Sequence, residues 1–289
     1  MLYTLKNDQL TVLLNDFGAE LHSVKRGACE YIWQGDPAYW AGQAPILFPI
    51  CGRLFGGKYT YEGKEYEMTL HGFAKRTLFQ AEVLGENEIC FRLSETEATL
   101  AEYPFPFSLE VTYRLNGAQL ESEIRVKNTG RGVLPFAFGA HPGFNVPLEG
   151  GEFSDYYVEF GEPTSPDKLV FSDTCFNTGY KTAYPLEDGR RIPLSHEMFQ
   201  NDAVFLCRVA DSVTLRSEKS ERYVQFFYPG MPYLGLWHKP NSDAPYVCIE
   251  PWCGLPSFDG KVDDFAVKSD MFRLQPQEEK RLQYSLLFG

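Results

Sequence analysis

Two histidines and one glutamate stand beside residues that fix the course of the backbone. His71 is followed by a glycine, whereas His141 and Glu250 are each followed by a proline. Proline holds the preceding residue in extended backbone, and glycine permits turns closed to other residues, so each neighbour restricts where a side chain can lie. Imidazole and carboxyl groups are common general acids and bases. We therefore interpret the three residues as candidates for a proton-transfer site.

The surroundings of His141 and Glu250 support this interpretation. In an extended strand Ala137, Gly139 and His141 share one face, and the two small side chains would leave room for a ligand beside the imidazole. Cys248 and Glu250 share one face of an apolar strand, and a glutamate at the end of such a strand is costly to bury unless it is paired or used. Taken singly, each has a structural alternative: a hydrogen-bonded or exposed histidine, or a Glu250 that pairs with an arginine.

The remaining histidines and the cysteines favour structural roles. His22, His196 and His238 occur in polar or loop contexts, although the Trp237-His238 pair could border a ligand site. The seven cysteines are irregularly spaced and odd in number, so we expect them to be reduced and mostly buried. His71, His141, Cys248 and Glu250 are possible metal ligands but lack the short spacing of zinc motifs, so no metal is predicted. Neither a G-x-G-x-x-G motif nor a phosphate-binding P-loop is present.

Composition and charge exclude several partners. The net charge of −12 and the absence of a basic run argue against nucleic acid and against anionic membrane surfaces. Residues 1–16 do not resemble a signal peptide. No apolar run approaches the roughly 20 residues needed to span a bilayer. A cytoplasmic protein with a small-molecule partner is expected, and 15% aromatic residues suit a site in which flat rings stack on sugar C–H faces. Its oligomeric state is left open.

A period of two dominates the chain and predicts an all-β fold. Alternating apolar residues flank a Glu-Gly-Lys turn in 59–68 and an Asn-Gly turn at 116–117, which indicates two β-hairpins. Short helical turns are predicted only at 95–101 and at 195–199, the second capped by Ser195. We predict one large antiparallel β-sandwich domain over 1–289. Further strands are predicted at 10–14, 89–93, 156–160, 203–209, 213–216, 223–227, 246–249 and 281–288.

Five segments in this order carry a resemblance to a known family. Residues 48–54, 71–74, 141–144, 201–203 and 249–251 make the chain similar to the aldose 1-epimerase (mutarotase) superfamily, and in particular to its LacX-like branch. The resemblance covers nearly the whole chain and implies the large antiparallel β-sandwich of galactose mutarotase. It also implies a cofactor-free interconversion of the α and β anomers of a hexose. The chain departs from the family pattern at 75–76, where Lys-Arg replaces arginine and an acidic residue.

The resemblance implies a role for each matching residue. Glu250 matches the general base that takes the anomeric hydroxyl proton, and His141 matches the general acid that protonates the ring oxygen. His71 matches the second histidine, which hydrogen-bonds the sugar. Arg53 and Asp202 match substrate-binding positions.

Three other functions stay open at this point. A hexose-6-phosphate 1-epimerase would perform the same reaction on a charged sugar, but a neutral aldose is the expected substrate. If residues 75–76 are extended, Lys75 and Arg76 point to opposite faces and cannot both reach one phosphate. A non-catalytic carbohydrate-binding protein would not need an acid and a base. A glycoside hydrolase would usually need two carboxylates across the bond, and only Glu250 is a firm candidate.

Overall fold

The computed structural model describes residues 1–289 as an almost entirely β structure. The one α-helix is α1 (Glu97–Glu102), and single 3₁₀ turns occur at Phe55–Gly57, Ala74–Arg76, Phe153–Asp155 and His196–Phe199. None of these helices has the length and apolar character that a bilayer crossing demands. The strands are β1 (Leu2–Lys6), β2 (Thr11–Asn15), β3 (Glu20–Arg26), β4 (Cys29–Glu30), β5 (Ile46–Leu47), β6 (Lys58–Tyr61), β7 (Lys64–Glu67), β8 (Gln80–Gly85), β9 (Glu88–Ser94), β10 (Phe107–Asn116), β11 (Gln119–Asn128), β12 (Leu134–Phe136), β13 (Gly139–Ala140), β14 (Gly143–Asn145), β15 (Tyr156–Phe160), β16 (Asp167–Phe171), β17 (Asn177–Ala183), β18 (Arg191–Pro193), β19 (Val204–Cys207), β20 (Ser212–Ser217), β21 (Ser220–Phe227), β22 (Tyr233–Trp237), β23 (Tyr246–Trp252), β24 (Asp263–Asp264), β25 (Phe272–Leu274) and β26 (Glu279–Phe288).

Two large antiparallel sheets dominate the fold and confirm the predicted all-β class. Nine strands follow the order β18-β15-β20-β21-β26-β11-β10-β9-β8, and eight strands form the second sheet, β17-β16-β19-β22-β23-β13-β5 with β14 paired to β23. Apolar side chains of both sheets meet in one core cluster of 66 buried residues. Smaller sheets of four, three and two strands complete the structure, and only the short β24–β6 pair is parallel.

Both predicted hairpins are present, because their turn residues and alternation agree. β10 and β11 pair along their full length around the Asn116-Gly117 end, and alternate β10 residues from Phe107 to Leu115 are buried. β6 and β7 pair around a Glu62-Gly63 turn, where both residues have positive φ. The predicted helical turns also occur, but Ser195 makes no side-chain capping bond, so that expected cap is wrong.

The segments that carry the candidate residues differ from the sequence expectation. Residues 137–141 are not one strand: β13 ends at Ala140, His141 and Pro142 follow without regular structure, and β14 then begins. Glu250 does not end its strand, because β23 continues through Pro251 to Trp252. The proline is tolerated inside β23 although it cannot donate a ladder hydrogen bond. All seven cysteines are free, and five are buried, as expected.

Candidate active site

One cavity of about 490 Å³ contains all five predicted site residues, namely Arg53, His71, His141, Asp202 and Glu250. They come from segments nearly two hundred residues apart, so only the folded sandwich brings them together. The volume lies within the roughly 300–1,000 Å³ of small-molecule sites. The other lining residues are Glu20, Trp40, Gly42, Pro45, Gly52, Leu70, Lys75, Phe171, Cys175, Ala203, Phe205, Trp237, Trp252 and Pro256.

The pairing register places His141 opposite Glu250. Gly139 pairs with Trp252 and Gly143 pairs with Cys248, so the same register carried across the break between β13 and β14 sets His141 directly across from Glu250. Opposed residues on one face of a sheet are close neighbours. His141 Nε2 lies 3.2 Å from Glu250 Oε2. The strand is therefore interrupted at the position where the side chains of His141 and Glu250 meet.

Burial disfavours charge on both members of this pair. His141 is 8% exposed and Glu250 is 2% exposed. Burial raises the pKa of Glu250 well above its usual range, and the negative charge of Asp202 adds to that shift. Burial lowers the pKa of His141 to about 3. Burial therefore disfavours both the Glu250 anion and the His141 cation. A pair that holds one proton, shared across the 3.2 Å contact, is neutral overall.

Reciprocal hydrogen bonds to one glycine hold His71. Its backbone N–H donates to the Gly52 carbonyl across 2.8 Å, and the Gly52 N–H donates to His71 Nδ1 across 3.0 Å. An Nδ1 that accepts a bond carries no proton, so the neutral ring carries its proton on Nε2. Burial and the neighbouring His141 lower the pKa of His71 well below its usual value, which favours this neutral donor.

Gly72 makes the His71 turn possible. Its φ is +72°, and a Cβ at this position would lie 2.3 Å from the Phe48 carbonyl oxygen. The backbone reversal predicted from the glycine is therefore present, and any side chain there would collide with a neighbouring segment.

Asp202, which also lines the cavity, is held by two donors. Trp237 Nε1–H donates to Oδ1 across 2.7 Å, and the Cys175 thiol donates to Oδ2 across 2.9 Å. Asp202 itself has a φ of +76°, a conformation that short polar residues adopt more readily than others. Burial and the adjacent carboxylate raise the pKa of Cys175 to about 11, so the thiol remains a donor near neutral pH.

The basic residues of the site divide into two groups. Arg53 and Lys75 line the cavity, and one Arg53 nitrogen also donates to the Thr174 carbonyl across 3.2 Å. Arg76 instead pairs with Glu102 at 2.6 Å. Residues 74–76 form a 3₁₀ turn and not the extended segment considered from the sequence, yet the side chains of Lys75 and Arg76 do diverge.

The small residues before His141 do not make room for a ligand, so that expectation is wrong. Neither Ala137 nor Gly139 lines the cavity. A Cβ on Gly139 would lie 2.7 Å from Trp252 Cδ1 and 3.0 Å from Cys51 Sγ. The glycine therefore accommodates the indole of Trp252, which forms part of the cavity wall.

Aromatic walls are the main feature that sequence reasoning missed. The Trp40 ring stacks on His141 with centroids 5.1 Å apart, and Trp237 meets the same imidazole edge-on at 5.8 Å. The sequence analysis noted Trp237 because it precedes His238. Trp40 lies in an irregular loop and had no such indication. His238 is buried outside the cavity and bonds His196 across 3.0 Å, which agrees with a structural role for both.

Comparisons with known proteins agree with this geometry. The family model described as aldose 1-epimerase matches residues 1–286. The plasmid-encoded protein LacX of Lactococcus lactis subsp. lactis is 35% identical, with 99% of each chain covered. A galactose mutarotase related enzyme from Lactobacillus acidophilus superposes with a TM-score of 0.95 at 33% identity, covering 100% of this chain and 97% of the other. A galactose mutarotase-like protein from Lactobacillus casei has a TM-score of 0.93 at 30% identity, with 100% of each chain covered.

Proposed function

Because this chain belongs to the aldose 1-epimerase family, we propose that it interconverts the α and β anomers of a neutral hexose. The observation that carries the proposal is the buried His141–Glu250 pair, at 3.2 Å, on the wall of a cavity with aromatic sides. Ring opening needs one group to remove the O1 proton while another protonates O5, and the pair offers one of each.

The proposed reaction moves the proton of the pair from one member to the other through the sugar. The proton of the pair first passes from Glu250 to His141 across the 3.2 Å contact, which forms a carboxylate and an imidazolium with no net change in charge. The Glu250 carboxylate then takes the O1 proton, and the imidazolium of His141 gives its proton to O5 as the C1–O5 bond breaks. The open-chain aldehyde turns about C1–C2. Protonated Glu250 then returns a proton to the aldehyde oxygen while neutral His141 accepts the O5 proton, and the ring closes on the other face. The pair holds one proton before and after each step, so its net charge never changes in the buried site.

The other cavity residues bind and orient the sugar in this scheme. His71 Nε2–H donates to a sugar oxygen near the reacting centre, and the tautomer fixed by Gly52 supports that role. Asp202, held by Trp237 and Cys175, accepts from sugar hydroxyls. The tryptophan faces stack on the C–H surfaces of the ring, as is usual at carbohydrate sites.

Proton transfer distinguishes this proposal from a carbohydrate-binding protein on the same fold. A binding protein requires complementary contacts but gains nothing from a buried carboxyl–imidazole pair, which is costly to bury. The seven free thiols support action in a reducing compartment such as the cytoplasm.

The proposal is tested by dissolving crystalline α-galactose or α-glucose and following both anomeric proton signals by NMR, with and without the protein. An approach to the same anomer ratio that becomes faster in proportion to protein concentration is expected. Tight sugar binding without such acceleration would instead identify a binding protein.

A further inference from the structure

A third polar side chain lies against the proposed acid and base and has no part in the proposed reaction. Ligand atoms of His141, Cys248 and Glu250 all lie within 4.8 Å of one another, and all three residues are buried. Cys248 is fully buried and is not among the residues that line the cavity. The thiol therefore approaches the pair from the protein side, whereas the sugar would approach from the cavity.

The strand register explains why these three groups meet. Cys248 and Glu250 are two residues apart on β23, so their side chains share one face of the strand. Cys248 pairs with Gly143, which lies two residues after His141, so the thiol and the imidazole come from neighbouring positions of paired segments. The cluster is thus a product of the sheet and not of mobile surface side chains.

The donor set matches that of zinc sites with three protein ligands. Such sites combine His nitrogen, Cys sulfur and carboxylate oxygen at about 2.0–2.3 Å from the metal, which places tetrahedral ligand atoms about 3.3–3.8 Å apart. The His141–Glu250 contact of 3.2 Å is close to that spacing, and side-chain shifts of about 1 Å would bring in the thiol. The open cavity provides a fourth coordination position.

We propose that His141, Cys248 and Glu250 bind a thiophilic divalent cation such as Zn²⁺ or Cd²⁺, and that the bound ion blocks catalysis. A metal on both His141 and Glu250 removes the acid and the base at once, so inhibition is competitive with the sugar. The binding site does not depend on the proposed function, whereas the inhibition rests on it. A thiolate ligand favours Zn²⁺ and Cd²⁺ over Mg²⁺ and Ca²⁺.

Proton release accompanies binding in this proposal. The thiol must lose its proton to ligate the metal, because the thiolate is the form that binds metal ions. Affinity for the metal therefore increases with pH. The enzyme as purified in a chelator remains fully active, because the metal is an inhibitor and not a cofactor.

Direct binding is measured first, with Cd²⁺ as the probe and without any sugar. We expect a sulfur-to-cadmium charge-transfer absorption that saturates at one ion per chain and disappears in Cys248→Ala. The matched control is Cys175→Ala, which removes the cavity-lining thiol that donates to Asp202 and does not belong to the three-residue cluster. Loss of the absorption in Cys175→Ala and not in Cys248→Ala would overturn the assignment, as would the absence of any absorption in the wild-type protein.

Inhibition is measured second, by titrating Zn²⁺ into the anomer assay. Zn²⁺ should abolish the acceleration and EDTA should restore it, whereas Mg²⁺ should have no effect. Cys248→Ala should keep the basal rate and need at least about tenfold more Zn²⁺, since removing even an outer-shell partner costs that much affinity. Cys248→Ser serves as a second variant if the alanine chain does not fold. Unchanged Zn²⁺ sensitivity in a folded Cys248 variant would contradict the proposal.

Cadmium binding through Cys248 in a protein without anomerase activity would uphold the site and refute only the proposed function.

Discussion

His141 Nε2 lies 3.2 Å from Glu250 Oε2, and the two residues face each other across a break between β13 and β14. Both groups are buried, and each is displaced from its usual pKa in the direction that opposes charge. Because O1 and O5 are bonded to the same carbon, an acid and a base that act on them must lie close to each other.

The pH dependence of kcat/KM should be bell-shaped with an acid limb well below 6.5, the usual pKa of histidine. The pair works with one proton. As pH falls it gains a second proton only near the pKa of His141, which burial lowers to about 3. As pH rises it loses its last proton through the raised pKa of Glu250. The measurement is the initial rate of anomer exchange across pH, corrected for the uncatalysed rate. An acid limb at 6.5 or above would contradict the buried pair.

Stability should respond to the same shifts with a definite sign. Burial also lowers the pKa of His238, to about 4. Glu250 has a raised pKa and gives the folded chain at most one extra proton, whereas the lowered pKa values of His71, His141 and His238 give the unfolded chain up to three. The unfolded chain therefore binds more protons than the folded chain below about pH 6.5. We expect the free energy of unfolding, measured by urea titration, to fall as pH drops from 6.5 towards 4. A stability that is constant over this interval would show that these histidines are not buried in neutral form.

His141→Asn should lower kcat by about 10²–10⁴-fold, because it removes a general acid while keeping a short polar side chain. Circular dichroism and thermal unfolding check that the fold is retained. The matched control is His196→Asn, which removes the hydrogen bond between His196 and His238, two residues outside the cavity. This control should reduce stability without changing kcat. Full activity per folded molecule in His141→Asn would assign this histidine a structural role instead.

Trp237→Phe should lower kcat/KM by about 10–150-fold, which corresponds to a hydrogen bond to a charged group of about 1.5–3 kcal/mol. The phenyl ring keeps an aromatic wall but loses the 2.7 Å donation to Asp202. A double-mutant cycle with Asp202→Asn isolates the contact. If the effects of the two substitutions are simply additive, the tryptophan acts by packing alone.

Glucose should have a higher kcat/KM than glucose 6-phosphate. Arg76 is occupied by Glu102, and the cavity cations Arg53 and Lys75 are accompanied by the carboxylate of Glu20, which would repel a phosphate. Arg76→Ala should leave the ratio of the two specificity constants unchanged. A preference for the phosphate that is lost in Lys75→Ala would place the chain among hexose-6-phosphate epimerases.

Local sequence patterns were sufficient for the framework of the fold. The Asn116-Gly117 turn and the alternation on both sides of it predict β10 and β11 because the signal and the structure are both local. Strands such as β5 and β13, each two residues long, carry no periodic signal, and only their partners in the sheet define them. The cap expected at Ser195 failed because a favourable residue type does not guarantee a bond.

The sequence nominated residues that line one cavity, but it could not predict how they are arranged there. A constraining neighbour marked His71, His141 and Glu250, and the shared strand face of Cys248 and Glu250 was visible as a period of two. The opposition of His141 and Glu250 depends on the register of three strands, and that register is set by contacts far apart in the chain. Trp40 had no local mark at all, since an irregular loop carries it to the imidazole.

Comparison of wild-type protein with Glu250→Gln in the anomer-exchange NMR assay tests the central claim most directly. Gln keeps the shape of the side chain but cannot take the O1 proton, so acceleration should fall by about 10²–10⁴-fold while the fold and sugar binding persist. Near-normal exchange catalysed by a well-folded Glu250→Gln protein would contradict the role of the buried pair.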